Sequence, residues 1–409
     1  MDKYFYIDND FSFSYSELVL RINSVKKIIT NHYKFDDFDY FINLIAGLAY
    51  GSDMLILDKD FSDIEVIKAC DGPYHETSIS ISSLDCCNLE DLLERVSKSK
   101  SKITMFTSGT TDVPKKIEHT VDTLIRNIKT GIKFKDDTWG FAYNPTHMAG
   151  MQVFFQAFFN NNTIVSLFGK NKYDILYFIK KYQITHLSAT PTFYRLLIPS
   201  QEKFTSVQQI TFGGEKSDLL LHDKVKEVFP NANIRNIYAS TEAGALFSSK
   251  HDRFIIPENI KDKVKIIDNE LYIHNSLLGK AVNFDDKNPW YATGDLIEFF
   301  DNNKKDFFIT GRKSEIINVG GYKVNPNEVE AQLRTMIGIQ DVKVYGIPNS
   351  ILGNILCADI VASDKTISES DIKLFLTNNL QNFKVPRKIY FKDILKTSRS
   401  GKIDRKNAK

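Results

Sequence analysis

Short apolar runs that each stop at a glycine, serine or threonine recur through this chain, with helical spacing between them. Ile103 to Thr107, His186 to Thr190, Gln209 to Gly213 and Ile234 to Ser240 are of this kind. A strand of four to eight residues followed by an amphipathic segment can bury its apolar faces only in stacked layers of sheet and helix, which predicts a mixed α/β architecture. In such layers ligand loops belong at the carboxyl ends of the strands. Ahead of these runs, Leu18, Val19, Ile22, Val25, Ile28 and Ile29 recur at helical spacing, so residues 14–31 are expected to form one amphipathic helix.

The pattern changes in the second half. Val264 to Ile267 and Leu271 to His274 flank Asp268 and Asn269, a hairpin signal, and a third strand is expected through Leu296 to Phe300. After Arg312 the alternation restarts. Asn327 with Glu330 reads as a capping-box helix start, strands are expected at Val342 to Tyr345 and Cys357 to Val361, and a helix at 369–380. These signals divide the chain into a large unit, 1–312, and a small α+β unit, 313–409, with the boundary near Arg312 to Ser314.

At 409 residues and 42% hydrophobic composition the chain can bury a large core. Lys and Arg total 53 against 51 Asp and Glu, giving no overall charge that would call for nucleic acid. The excess is local: Lys384 to Lys409 holds ten basic and two acidic residues. A solvated basic face is the plain reading, with an acidic protein partner the alternative. The four cysteines, Cys70, Cys86, Cys87 and Cys357, form no CxxC pair or zinc spacing, so reduced thiols in a cytoplasmic protein are expected. No signal-peptide core opens the chain, and its most apolar stretch, Phe41 to Leu57, is broken by Asp53, so no membrane span is expected.

The strand Ile103 to Phe106 runs into TSGTTDVPKK, residues 107–116. Thr107, Ser108, Gly109, Thr110 and Thr111 offer hydroxyls and a permissive backbone whose amides can converge on phosphate oxygens, and Lys115 adds a mobile cation. No GxxxxGK[ST] segment is present, which excludes a Walker-type loop.

Together with five further segments, this stretch resembles the superfamily of adenylate-forming enzymes: acyl- and aryl-CoA synthetases, adenylation domains of peptide synthetases, and beetle luciferases. FTSGTTDVPKK is similar to their phosphate loop, NPTHMAG (144–150) to their histidine-bearing substrate segment, and IYASTE (237–242) to their adenine and magnesium segment. YATGDL (291–296) resembles the ribose-binding motif, GRKSEIINVGGYKVNPNEVE (311–330) the hinge with its hairpin, and SGKIDR (400–405) the loop of the catalytic lysine.

The resemblance implies roles residue by residue. Lys402 bridges the substrate carboxylate and the α-phosphate of ATP; Thr241 donates to that phosphate; Glu242 binds Mg2+; His147 closes the acyl pocket. Tyr238 stacks on adenine, Asn236 reads its amino edge, and Gly213, Gly214 and Glu215 lie against the base from the other side. Asp295 accepts from the ribose hydroxyls with Arg312 beside it. Ser314 is the hinge, and Gly320 and Gly321 make room for a pantetheine arm of coenzyme A or of an acyl carrier protein. The implied reaction is ATP-dependent activation of a small carboxylic acid, aryl or short aliphatic, followed by thioester formation. A stand-alone adenylation enzyme and a non-catalytic nucleotide-binding relative are the alternatives.

The chain also departs from the family pattern. Asp112 and Lys116 replace glycines around the phosphate loop, Ala239 replaces another, Ser314 stands where Asp or Lys is usual, and Lys396 replaces a proline. The early position of the phosphate loop implies a reduced first subdomain, and the short interval from Glu242 to Asp295 a reduced small barrel.

Overall fold

The computed structural model describes residues 2–9, 11–107, 115–281, 288–301, 305–349, 352–398 and 402. Among these, the predicted apolar runs form the centre of an eight-stranded sheet. Its spatial order is Gly244–Ser249, Asn233–Ser240, Gln209–Gly213, His186–Ala189, Thr138–Phe141, Thr163–Ser166, Tyr4–Asp8 and Phe11–Ser14. The six central strands pair in parallel, and one antiparallel strand closes each edge. Parallel strands need helical crossovers, and helices such as Met148–Phe158, Lys172–Lys181 and Leu219–Val228 provide them.

A second sheet carries the phosphate-loop segment. Lys102–Thr107 and Lys115–Thr120 pair antiparallel, with Thr107 opposite Lys115. Lys102–Thr107 also neighbours Met54–Ile56 in parallel, and the pair Lys280–Ala281 closes the far edge. The third sheet is an antiparallel array of five strands in the order Arg253–Ile255, Asp306–Arg312, Trp290–Phe299, Glu270–His274 and Val264–Ile267. The hairpin between the last two turns on Asp268 and Asn269 at φ 48° and 60°, the left-handed pair a two-residue loop demands.

Beyond Arg312, Ile339–Asn349 and Gly353–Ala362 pair over their full lengths, flanked by the Ile317–Val319/Tyr322–Val324 hairpin and by Lys388–Phe391. Val329, Leu333, Ile372 and Leu376 from the helices Pro326–Arg334 and Glu369–Asn379 pack onto this sheet as a separate core.

The core of the large unit is built on phenylalanine. Phe41 stacks on Phe154 with ring centroids 4.5 Å apart, and Phe154 stacks in turn on Phe158. All three are fully buried, and each such side chain contributes about 2–3 kcal/mol by leaving water. This stack anchors the helix Met148–Phe158, whose opposite stripe faces the cavity described below.

Two local expectations fail. The helix expected over 14–31 ends at Ser24, and Lys27–Ile29 is a strand paired with Ser78–Ser80. β-branched Ile28 and Ile29 gain more from a buried pleated surface than from another helical turn. The helix expected to start at Asn327 is capped by Asn325, which accepts from the Asn327 amide, with Pro326 at its first position. Glu330 is buried and accepts from the Val344 amide at 2.9 Å, so it ties helix to sheet instead of closing a capping box.

Candidate active site

A cavity of about 720 Å³ opens where the carboxyl ends of the central strands meet the small antiparallel sheet and the domain junction. Lys115, His147, Gly213, Gly214, Thr241, Glu242, Arg312, Ser314 and Lys402 all line it, although they come from five of the six motif segments and from the end of the strand Gln209–Gly213. Lys402 is the sole described residue beyond Ser314 that does so. Its side chain lies over Gly214, where φ is +83° and a Cβ would stand 3.0 Å from the Lys402 Cε. A glycine is therefore needed twice at this point, for the backbone angle and for the approach. Burial pushes the Lys402 ammonium below the usual lysine range, and the nearby Arg312 adds to this against the pull of Glu215 and Asp295. Such a group gains when an anion enters beside it.

Thr241 and Glu242 follow the last residue of the strand Asn233–Ser240. The Thr241 carbonyl accepts from His119 Nε2 at 2.8 Å, and the Glu242 carbonyl accepts from the Gly279 amide at 2.7 Å. His119 is buried, and burial pushes its imidazole down to about 4, so the ring is neutral and Nε2 carries the proton donated to Thr241. Glu242 accepts a long 3.3 Å hydrogen bond from the Tyr291 hydroxyl. Among the described residues no group of three or more His, Cys, Asp or Glu side chains gathers as a metal cage. A single carboxylate nevertheless suits Mg2+ where a phosphate supplies other ligands, because the ion keeps most of its waters.

His147 caps the helix Met148–Phe158 but makes no side-chain cap bond. Its Nε2 is committed to Asp58 Oδ2 at 2.6 Å, and Asp58 also accepts from Asn144 and from the Asp60 amide. Burial raises the Asp58 carboxyl, but these donors, His147 foremost, hold it below its usual value. Forgoing a Ser or Asp cap costs about 1 kcal/mol, the price of an oriented imidazole at the cavity wall. Gly150 permits the tight turn before the helix, because a Cβ there would lie 2.2 Å from the Asn144 carbonyl oxygen. Tyr143, Ser188 and Thr211 add a hydroxyl ladder to the same wall, with Thr211 donating to Ser188 at 2.5 Å.

Several expected contacts are arranged differently. Asn236 does not line the cavity: its Oδ1 accepts from Ser217 at 2.6 Å and its Nδ2 donates to the His251 carbonyl at 2.7 Å. Tyr238 also stands outside the lining, its ring stacked on Phe247 and its hydroxyl 2.5 Å from Asp295 Oδ2. Strand alternation is the reason, since Ile237 and Ala239 face the cavity while Asn236 and Tyr238 face away, until the strand ends at Ser240, which again lines it. Glu215 turns to Thr192, accepting from its amide and hydroxyl at 3.1 and 2.6 Å. Asp295 is buried beneath Arg312, which donates to its Oδ1 at 2.9 Å, so Arg312 and not Asp295 reaches the cavity wall.

Thr107 ends its strand one residue beyond Phe106, which lines the cavity, while Ser108, Gly109, Thr110, Thr111 and Asp112 lie outside the described residues. Lys116, beside Lys115, pairs with Asp71. Ser314 sits in a short turn, Lys313–Glu315, between Arg312 and the second unit, and Lys313 pairs with Glu270 at 2.9 Å. Gly320 and Gly321 form the tip of the hairpin at φ 58° and 89°, away from the cavity. All four cysteines are free, and no helix among the described residues is long and apolar enough to cross a membrane.

Asp58 and His119 escaped the sequence reading, and Tyr291 stood in YATGDL with no role of its own. Each acts through a partner far away in the chain.

Comparison with known proteins gives the family of the chain. The AMP-binding enzyme family profile matches residues 17–275, and the profile of the AMP-binding enzyme C-terminal domain matches 328–402. Oxalate–CoA ligase of Arabidopsis thaliana is 27% identical over 340 residues, covering 74% of this chain and 66% of that protein. A 2-succinylbenzoate–CoA ligase of Staphylococcus epidermidis is 25% identical over 334 residues, covering 75% and 69%. The fold superposes on o-succinylbenzoate CoA synthetase of Bacillus subtilis in complex with its acyl-adenylate intermediate, with a TM-score of 0.73 at 20% identity over 100% of this chain and 95% of that one. ATP-bound MatB of Rhodopseudomonas palustris also gives 0.73, at 18% identity over 98% and 94%. The family profile covers well over half of the chain, and the chain belongs to the AMP-binding enzyme family.

Proposed function

We propose that this protein is an AMP-forming acid–thiol ligase that activates a small carboxylic acid with MgATP and passes the acyl group to the thiol of coenzyme A. The observation that carries this reading is the position of Lys402, which reaches from the second unit into the cavity that holds Thr241, Glu242 and Arg312. In the first step a carboxylate oxygen bonds to the α-phosphorus and the bond to the β-phosphate breaks, releasing pyrophosphate. Two anions must approach one another, so a preorganised cation at the forming bond supplies the main stabilisation. Lys402 is placed for that work, and the depressed affinity of its amine for a proton is restored as negative charge arrives. Lys115 and Arg312 offer further positive charge along the same cavity. Magnesium bound at Glu242 would neutralise phosphate charge.

In the second step the thiol attacks the acyl carbonyl and AMP leaves. We take 1–312 and 313–409 as the moving units, with Ser314 as hinge: Lys402 withdraws and the Gly320–Gly321 hairpin takes its place. Coenzyme A is favoured as acceptor because the relatives above are named as CoA ligases. Acid-dependent exchange of labelled pyrophosphate into ATP tests the first step, and thioester formation with coenzyme A or with a phosphopantetheinyl carrier protein identifies the acceptor. A folded protein that supports exchange with no acid would overturn the proposal.

A further inference from the structure

Beyond the nucleotide end, the cavity runs along the helix Met148–Phe158. Met148, Gln152, Val153 and Gln156 form a stripe on its cavity side, and each helical turn carries the wall about 5.4 Å further from His147. Leu124, Ile128 and Trp139 complete an apolar surround. The basic side chains among the described lining residues are elsewhere. Lys115, Arg312, Lys313 and Lys402 come from the phosphate-loop strand and the domain junction, and His147 is tied to Asp58.

Three amides interrupt the apolar wall. Gln156 exchanges both of its polar atoms with the Lys129 backbone, at 3.0 and 2.8 Å. Asn127 gives its Nδ2 to the Ala245 carbonyl at 2.6 Å. Gln152 differs: no partner for its amide exists among the described residues, and it lies beside Gly244, where a Cβ would stand 2.8 Å from Nε2. It thus offers a donor and an acceptor to the cavity with no partner among the described residues.

We infer that Gln152 sets acid specificity, and that the acid is a monocarboxylate whose far end bears an uncharged hydrogen-bonding group such as a hydroxyl, amino or carbonyl on a ring or short chain. A second carboxylate would be stripped of water against apolar groups and amides with no cation to pair it, which strongly disfavours dicarboxylates. A site built to hydrogen-bond a polar substituent also rejects the analogue that lacks it, because the protein group is left unpaired. This inference rests on the acid-activating reading of the site, and its test separates the two.

Matched trios serve as probes: benzoate, 4-hydroxybenzoate and terephthalate, and butyrate, 4-hydroxybutyrate and succinate. Each is measured by thermal stabilisation of the protein with AMP present, which needs no chemistry, and by pyrophosphate exchange. The expected order in the better-accepted trio is hydroxy acid, then parent acid, then diacid, with roughly a hundredfold span between first and last. Gln152→Leu should erase the hydroxyl advantage, about three- to tenfold, without changing KM for ATP, and Gln152→Arg should raise the response to diacids. Wild-type preference for a diacid, or a hydroxyl advantage that survives Gln152→Leu, overturns the inference while leaving adenylation intact. The expected binding order without any exchange supports the pocket assignment and overturns the proposed reaction. Neither binding nor exchange with any acid overturns both.

Discussion

The two ends of the cavity are built by opposite rules. At the nucleotide end, Lys115, Arg312, Lys402 and Glu242 bring full charges together from both units of the chain. At the acyl end, the same helix that stacks Phe154 and Phe158 into the core presents only apolar side chains and neutral amides. Under the proposed reaction, charge at the first end is useful because the groups bound there are themselves charged and their charge shifts as bonds change. At the second end an unmatched charge would remain buried throughout, so shape and a single hydrogen-bonding group discriminate instead. Substitutions should therefore act on one end without touching the other.

The largest separation is expected at Lys402. Lys402→Ala should lower the rate of acyl-adenylate formation about 10²- to 10³-fold, the scale for losing one preorganised electrostatic contact. Thioester formation from supplied acyl-adenylate should stay within a few-fold of wild type, because in the proposed mechanism the lysine serves only the first step. Equal losses in both half-reactions would break the assignment. So would an acid preference that shifts along with the rate.

Next in size is a stability effect beneath the nucleotide end. His119 holds the Thr241 carbonyl, and its imidazole titrates at about 4, against about 6.5 when exposed. Between these values the unfolded chain binds the extra proton, so stability rises with pH through the window and falls as pH drops from 6.5 toward 4. The shift corresponds to about 3 kcal/mol at its acid limit. His32 and His186, pushed down to about 3 and about 4 by burial, contribute in the same direction. The informative quantity is thus the difference between wild type and His119→Gln in denaturant unfolding: the variant should be less stable at pH 7.5 and should lose less on acidification. Parallel pH profiles for the two proteins would show that His119 is not the titrating group.

At the entrance to the acyl end, Asp58 orients His147. In Asp58→Asn the imidazole meets an amide, and its orientation is no longer enforced by a charged acceptor. KM for the acid should rise about tenfold, while KM for ATP stays unchanged, in line with the loss of one charge-assisted hydrogen bond. A rise in both constants would mean that the two ends are coupled through the helix and not independent.

How much of this could be read from the sequence depends on the range of the signal. Lys402, Thr241, Glu242 and His147 stood in motifs, and the structure gathers them around one cavity. Asp58 lies 89 residues before His147, and His119 lies 122 residues before Thr241; only the sheet packing brings each pair together. The positions of Asn236 and Tyr238 were legible in principle. A period of two along Asn233–Ser240 places Ile237 and Ala239 on one face and Asn236 and Tyr238 on the other. The motif resemblance assigned roles to residues on the face that packs away from the cavity. At 14–31 the apolar spacing suited a helix throughout, but strand pairing with Ser78–Ser80 claimed Ile28 and Ile29, a long-range contact that no local window contains.

The smallest predicted effect sharpens the contrast at Glu242. Tyr291 donates to its carboxylate across 3.3 Å, a long bond that orients the oxygen and does little else. Tyr291→Phe keeps the ring and removes only the hydroxyl, so the carboxylate keeps its place with one constraint fewer. Groups that orient metal ligands matter in proportion to how firmly they hold them, and this one holds loosely. The Mg2+ concentration giving half-maximal pyrophosphate exchange should therefore rise only two- to fivefold, on the order of 0.5–1 kcal/mol. The order of preference among acids should not change. An altered acid preference with an unchanged Mg2+ requirement would place Tyr291 at the acyl end, and the division of the cavity would have to be redrawn around it.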